Sequence, residues 1–134
     1  MLLEAKNLKK FFKKGRVRAV DGVSFSIEPK ETLGIVGESG SGKSTLAKLI
    51  LRLISPDEGS IFFEGNPISQ AGEKDLKRFR KKVQIVFQEP VHSLDPRMSV
   101  EAILKEPFIL SGEKNKEVLR SKVGELLRAV ELSE

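Results

Sequence analysis

The order of apolar and polar positions divides the chain into a first part rich in strand patterns and a last part rich in helix patterns. Residues 2–8 have the composition of a strand, and residues 17–27 alternate apolar and polar side chains. That alternation is typical of an antiparallel sheet with one face in water. We expect residues 9–16 to form a basic turn between these strands, and residues 60–64 to form a further short strand.

Two short apolar runs, residues 32–36 and 83–87, lack this alternation. We therefore expect them to be strands that are buried on both faces. Amphipathic spacing predicts four helices: one that follows residue 42 and ends near Ile54, and others over residues 73–82, 100–105 and 117–131. Antiparallel strands, a strand–loop–helix unit and a helical tail together predict the α/β class.

The segment between the first apolar run and the first helix carries a specific motif. Residues 37–45 match the phosphate-binding pattern G-x-x-x-x-G-K-[ST] in full. Its glycines let successive N–H groups surround an anion, and the helix adds the positive end of its dipole. A glycine-rich turn with a chance lysine is the alternative, but the spacing and both flanks favour a P-loop. The residues expected to bind a nucleotide here are Gly37, Glu38, Ser39, Gly40, Ser41, Gly42, Lys43, Ser44 and Thr45.

Two side chains in this loop have assigned chemistry. We expect Lys43 to reach the β- and γ-phosphates of ATP, and the Ser44 hydroxyl to ligate Mg²⁺. The motif predicts the ligand but leaves the reaction open.

Composition limits the class of protein. The chain has 134 residues and no cysteine, which excludes disulfides and thiolate metal sites and fits a reducing compartment. No apolar run approaches the roughly 20 residues that span a bilayer, and the amino terminus does not read as a signal peptide. We therefore expect a soluble protein of the cytoplasm.

The net charge of +5 arises from basic runs over residues 9–18 and 77–82. Such runs can bind nucleic acid or an anionic membrane surface. We interpret them as solvated surface that also attracts nucleotide, and we expect no nucleic-acid partner.

Several segments together resemble the ATP-binding subunits of ABC transporters. Residues 19–25 are similar to the strand before the P-loop of that family, and residues 55–61 to the segment after its P-loop helix. Residues 86–90 resemble its Q-loop. Residues 93–98, Ser-Leu-Asp-Pro-Arg-Met, are similar to the subgroup that imports oligopeptides, dipeptides and, in some members, nickel. The likeness spans essentially the whole chain.

The resemblance implies an architecture and further site residues. Residues 1–90 would form a nucleotide-binding core with an antiparallel β subdomain, and residues 91–134 the beginning of a helical subdomain. Gln88 would be the Q-loop glutamine, a catalytic residue together with Lys43 and a Mg²⁺ ligand together with Ser44. Without the resemblance, the favoured interpretation of Gln88 is a polar cap on a buried strand. Phe12 lies where the family stacks an aromatic ring on adenine, and the alternative is a core aromatic at a strand end.

The resemblance also implies partners. A second ATP-binding subunit would close on ATP, and the pair would drive membrane permease subunits from the inner face of the cell membrane. The transported solute is not encoded in this chain.

Some parts that the family needs for hydrolysis are not found in this sequence: an acidic Mg²⁺ ligand, a catalytic glutamate, a switch histidine and an LSGGQ-type signature. We interpret Glu89 and His92 as loop residues, and residues 110–113 as a chance match to the signature. The chain resembles the amino-terminal part of such a subunit. We therefore expect negligible ATP hydrolysis by the chain alone, and either association or marginal stability, because the apolar runs lack flanking strands.

Two other functions stay open. The first is a nucleotide-binding module without catalysis, which the missing groups favour. The second is a small P-loop kinase, which the structured segment before residue 37 and the Q-loop likeness disfavour.

Overall fold

A computed structural model describes residues 1–87 and 94–132, which group into two units, Met1–Ile85 and Val86–Glu134. The boundary expected at residue 90 lies outside the described residues and stays a prediction. The first unit contains, in order, β1 (Leu3–Phe12), β2 (Val17–Ile27), α1 (Lys43–Ile50), β3 (Glu58–Phe63), β4 (Asn66–Pro67) and α2 (Glu73–Lys82). The second contains α3 (Val100–Leu110) and α4 (Lys116–Ala129).

The strands of the first unit form an antiparallel sheet in the order β2-β1-β3-β4. Strand β1 lies between β2 and β3, and Leu3 pairs with Ile27 on one side and with Phe63 on the other. The predicted alternation of β2 is confirmed, because Val23, Phe25 and Ile27 are half-buried while the residues between them are exposed. Hydrophobic burial of one face against the core fixes this register.

The core of this unit lies between the sheet and the two helices α1 and α2. Leu8, Leu49 and Ile61 are completely buried within it. Phe63 and Phe79 meet edge to face with their ring centroids 5.1 Å apart, which joins β3 to α2. Helix α2 has the bounds that its sequence predicted, and it buries Leu76 and Phe79 while its charged residues face water.

Helix α1 is shorter than predicted, since it ends at Ile50 rather than near Ile54. Arg52 has a left-handed backbone with φ of 53°, which cannot continue an α-helix. Its guanidinium Nε donates to the Ile68 carbonyl oxygen at 2.7 Å, so tertiary contact stabilises this ending.

The prediction that the two apolar runs form buried strands is wrong. Residues 32–36 and 83–87 lie in no strand of the described chain, and Val36 and Val86 are 94% and 86% exposed. Apolar composition favours burial, but a strand also needs neighbours that pair its N–H and C=O groups. No described strand supplies those neighbours.

The second unit is a pair of helices. Helix α3 extends beyond the predicted residue 105 to Leu110, and Pro107, which lacks a backbone donor, lies inside it. Ser99 Oγ accepts from the Ala102 N–H at 3.2 Å, and Asn115 Oδ1 accepts from the Glu117 N–H at 2.9 Å, so both helices begin at a capping side chain. Within residues 1–87 and 94–132, no helix has the length and apolar character to cross a membrane.

Candidate functional site

The P-loop begins after the exposed residue Val36 and leads directly into α1. Gly42, which precedes the helix, has φ of 96°, a conformation that favours glycine. A β-carbon at Gly42 would lie 2.1 Å from the carbonyl oxygen of Ala19 in β2. Glycine is therefore needed at position 42 for two reasons, the positive φ of its backbone and its close contact with the sheet.

Lys43 folds back across the loop that precedes it. Its Nζ donates to the carbonyl oxygens of Gly37 and Glu38, both at 2.7 Å, and lies 3.4 Å from Ser41 Oγ. These partners are neutral, and no carboxylate pairs with Lys43 among the described residues. The ammonium charge is therefore uncompensated in the middle of the loop, where the β- and γ-phosphates are expected.

The amino terminus of α1 adds to this positive field. Its first turn contains no acidic residue, and no described side chain caps its N–H groups. Unpaired N–H groups and the positive end of the helix dipole both favour an anion at this position. Ser41 N–H donates to the Glu38 carbonyl oxygen at 3.2 Å, which closes the loop into a turn.

Ser44 is the expected Mg²⁺ ligand that lies within the described residues. Ser44 is exposed on the first turn of α1, where its hydroxyl is accessible. The described residues contain no cluster of acidic or histidine side chains that could hold a metal by itself. Gln88, the second expected ligand, lies outside the described residues, as do Glu89 and His92.

Phe12 ends β1 with 41% of its surface exposed, whereas its neighbour Phe11 is half-buried. Phe12 pairs with Val17, the first residue of β2. Ala19, which contacts Gly42, lies two positions after Val17 in the same strand, or about 7 Å along it. The sheet thus brings the exposed ring and the phosphate-binding loop to one end of β2.

One acidic residue near Phe12 was missed by the sequence reasoning. Asp57 Oδ2 accepts from the Phe11 N–H at 2.6 Å, and Oδ1 accepts from Lys10 Nζ at 2.9 Å. The Phe11 N–H, and then Lys10, hold the pKa of the Asp57 carboxyl below its ordinary value. Asp57 lies within the segment that resembles the family, but nothing local in the sequence indicates contacts more than 40 residues away.

The antiparallel sheet, the P-loop and its helix define an α/β P-loop domain. Residues 20–134 match the family model described as ABC transporter, and the chain belongs to this family. It is 46% identical, over 98% of its length, to the oligopeptide transport ATP-binding protein AppF of Bacillus subtilis, of which it covers 43%. It is 41% identical to the dipeptide transport ATP-binding protein DppF of Escherichia coli, covering 42% of that protein. The chain therefore spans less than half the length of these relatives.

A solved structure agrees with the fold. The ATP-binding cassette MJ0796, in a dimeric post-hydrolysis state bound to ADP and Pi, is 30% identical and superposes with a TM-score of 0.83. The match covers 99% of this chain and 59% of that one.

Proposed function

We propose that the chain is the nucleotide-binding part of the ATP-binding subunit of a peptide importer, and that residues 37–45 bind ATP. The Lys43 ammonium carries this proposal, because it lies over the P-loop without an acidic partner in the described chain. The ring of Phe12 stacks on the adenine, and the loop N–H groups hold the phosphates.

The chemistry follows from charge neutralisation and positioning. Negative charge that accumulates on the γ-phosphate oxygens during attack by water is stabilised by Lys43 and the N–H groups of the loop. Ser44, with Gln88, holds the Mg²⁺ ion, which neutralises phosphate charge when bound. Gln88 also orients the attacking water. Direct attack by water forms no covalent intermediate with the protein.

The relatives support a role in peptide transport. Those named above are oligopeptide and dipeptide transport ATP-binding proteins, and MJ0796 is a dimer in its solved structure. We propose that this chain pairs with a second ATP-binding subunit and that the pair acts on membrane permease subunits from the cytoplasmic face.

A Lys43→Ala variant tests nucleotide binding. Without the ammonium, we expect ATP affinity to fall at least about ten-fold, which corresponds to about 1.4 kcal/mol. Lys48→Ala is the matched control, since Lys48 is an exposed lysine in the last turn of the same helix. Equal ATP affinity of the two variants in calorimetric titration would refute the proposed site.

The second candidate is nucleotide binding without turnover. Its support is that the described residues contain no group of three or more acidic or histidine side chains that could hold a metal ion. ATP turnover by the full chain tests this second candidate. We expect negligible turnover, and a Lys43-dependent rate of about 1 per second, an ordinary enzymatic rate, would show that the chain is catalytic by itself.

A further inference from the structure

We propose that Asp57 is a positioning residue for nucleotide binding: it fixes the end of β1 so that Phe12 presents its ring to the adenine. Asp57 itself touches no part of the nucleotide in this proposal. The inference rests on the proposed stacking role of Phe12 and extends it to a residue at the other end of a hydrogen-bonded network.

Asp57 joins the segment before β3 to three successive residues of β1. Its backbone N–H donates to the Lys9 carbonyl oxygen at 2.9 Å. Its carboxylate accepts from Lys10 Nζ at 2.9 Å and from the Phe11 N–H at 2.6 Å. Phe12 is the next residue along the strand, so these bonds hold the backbone immediately before the exposed ring.

The backbone needs this support because the strand loses its neighbour at this point. Pairing of β1 with β3 reaches only to Lys9, which lies opposite Glu58. The pairing with β2 is also irregular between Lys10 and Phe11. The Asp57 carboxylate accepts a hydrogen bond from β1 beyond the last β3 pair, and so extends the ladder with a side chain.

Lys10 connects the same carboxylate to the ring itself. Its side chain is only 16% exposed, and its Nζ lies 5.8 Å from the centroid of the Phe12 ring. A cation at this distance is attracted to the ring electrons. Asp57 therefore acts on Phe12 by two routes, through the backbone of Phe11 and through the ammonium of Lys10.

The adjacent residue offers a matched control. Glu58 forms an ion pair of the same kind with Lys9, at 2.7 Å. This pair joins the same two stretches of chain, but among the described residues no hydrogen bond, ion pair or cation–π contact joins Glu58 or Lys9 to Phe12. Removal of either acid eliminates one ion pair between the strands, and only Asp57 acts on the ring.

The test compares ATP with inorganic tripolyphosphate in calorimetric titrations of the full chain. Tripolyphosphate contacts the P-loop but has no base, so the ratio of the two affinities reports on the ring. We expect Asp57→Ala to lower the affinity for ATP about three- to ten-fold. The affinity for tripolyphosphate should change less than about two-fold. Glu58→Ala should leave both affinities unchanged. Equal weakening of ATP and tripolyphosphate by Asp57→Ala would overturn the proposal, since it would indicate general structural damage.

Phe12→Ala separates failure of this inference from failure of the proposed stacking. Loss of base stacking should lower the affinity for ATP about ten-fold and leave the affinity for tripolyphosphate unchanged. If Phe12→Ala leaves the affinity ratio unchanged, the stacking role itself is wrong. If Phe12→Ala lowers the ratio and Asp57→Ala does not, only the positioning role is wrong.

Two further variants guard against misfolding and independent effects. In the double variant of Asp57→Ala with Phe12→Ala, we expect no loss beyond that of Phe12→Ala, because both changes remove one interaction. Fully additive losses would overturn the proposal. Lys10→Met keeps the buried stem and removes the ammonium, so it tests the second route if Asp57→Ala does not fold. Its expected result is a lowered ratio of ATP to tripolyphosphate affinity, and an unchanged ratio would contradict that route.

Discussion

The Ala19 carbonyl oxygen of β2 lies so close to Gly42 that an ideal β-carbon on Gly42 would be only 2.1 Å from this oxygen. Backbone-to-backbone contact thus joins the antiparallel sheet to the start of α1. This contact places the P-loop against the same strand that pairs with Phe12. The phosphate-binding and the proposed adenine-binding elements therefore share β2 as their support.

Gly42→Ala should disturb this contact. The substitution forces a clash with Ala19 and a strained positive φ, and we expect a loss of about 2 kcal/mol or more in the free energy of unfolding. Gly65→Ala is the control, because Gly65 also has a positive φ, 76°, but has open space around it. Denaturant unfolding of both variants measures the difference. Equal destabilisation would mean that strain alone, and not the contact with β2, makes glycine necessary.

The Ser44 hydroxyl should account for the effect of Mg²⁺ on nucleotide affinity. We expect Mg²⁺ to strengthen ATP binding to the unmodified chain, and Ser44→Ala to lose most of that gain because a metal ligand is removed. Titrations of both proteins with ATP, with and without EDTA, measure this gain in affinity. With EDTA present, the two proteins should bind ATP alike. A variant that keeps the full Mg²⁺ effect would show that Ser44 is not a ligand.

The carboxyl of Asp57 predicts a pH dependence of stability. Its pKa is lowered in the folded chain, first by the Phe11 N–H and then by Lys10. Folding therefore favours the ionised form, and this stabilisation is present above the ordinary pKa of about 3.9 and is lost as the pH falls through the folded pKa.

The comparison of unmodified chain with Asp57→Asn tests this sign. The difference in their free energies of unfolding should be constant from pH 7 to about pH 5 and should shrink below about pH 4. Denaturant unfolding at each pH measures the difference. A gap that widens toward acid would contradict the prediction.

Exposed apolar surface in the first unit predicts association. Leu33, Ile35 and Val36 are all exposed, and they lie in the run that was predicted to be buried. We expect the chain either to self-associate in light-scattering measurements or to unfold readily. Val36→Ser should reduce association, whereas Val130→Ser, which changes an exposed valine at the end of α4, should not. A stable monomer would refute the expectation.

Local signals predicted much of the fold. The bounds of β2 and α2 agree with their sequence patterns, because alternation and amphipathic spacing are read within one element. The predicted end of α1 was wrong, because Arg52 adopts a left-handed backbone. Its guanidinium binds the distant Ile68 carbonyl oxygen. Helix α3 continues past Pro107 to Leu110, beyond the predicted residue 105.

The candidate site, like the fold, could be predicted where the signal is local but not where it depends on residues distant in the chain. The motif over residues 37–45 predicted the nucleotide-binding loop, and the family resemblance predicted the stacking role of Phe12; both roles stay predictions. Neither indicated Asp57, whose partners in β1 are more than 40 residues away. Gln88 stays a prediction from the resemblance.

The sequence by itself determined the family and predicted the class of ligand, because a P-loop motif is a contiguous run that can be recognised without knowledge of distant contacts. Only the tertiary structure decided that Lys43 crosses its own loop, that Gly42 abuts Ala19, and that Asp57 supports the strand end before Phe12. It also decided that residues 32–36 are not a strand. The physical reason is that hydrogen bonds and close packing join groups distant in the chain, and an apolar pattern specifies that a residue is suited to burial without specifying its neighbour.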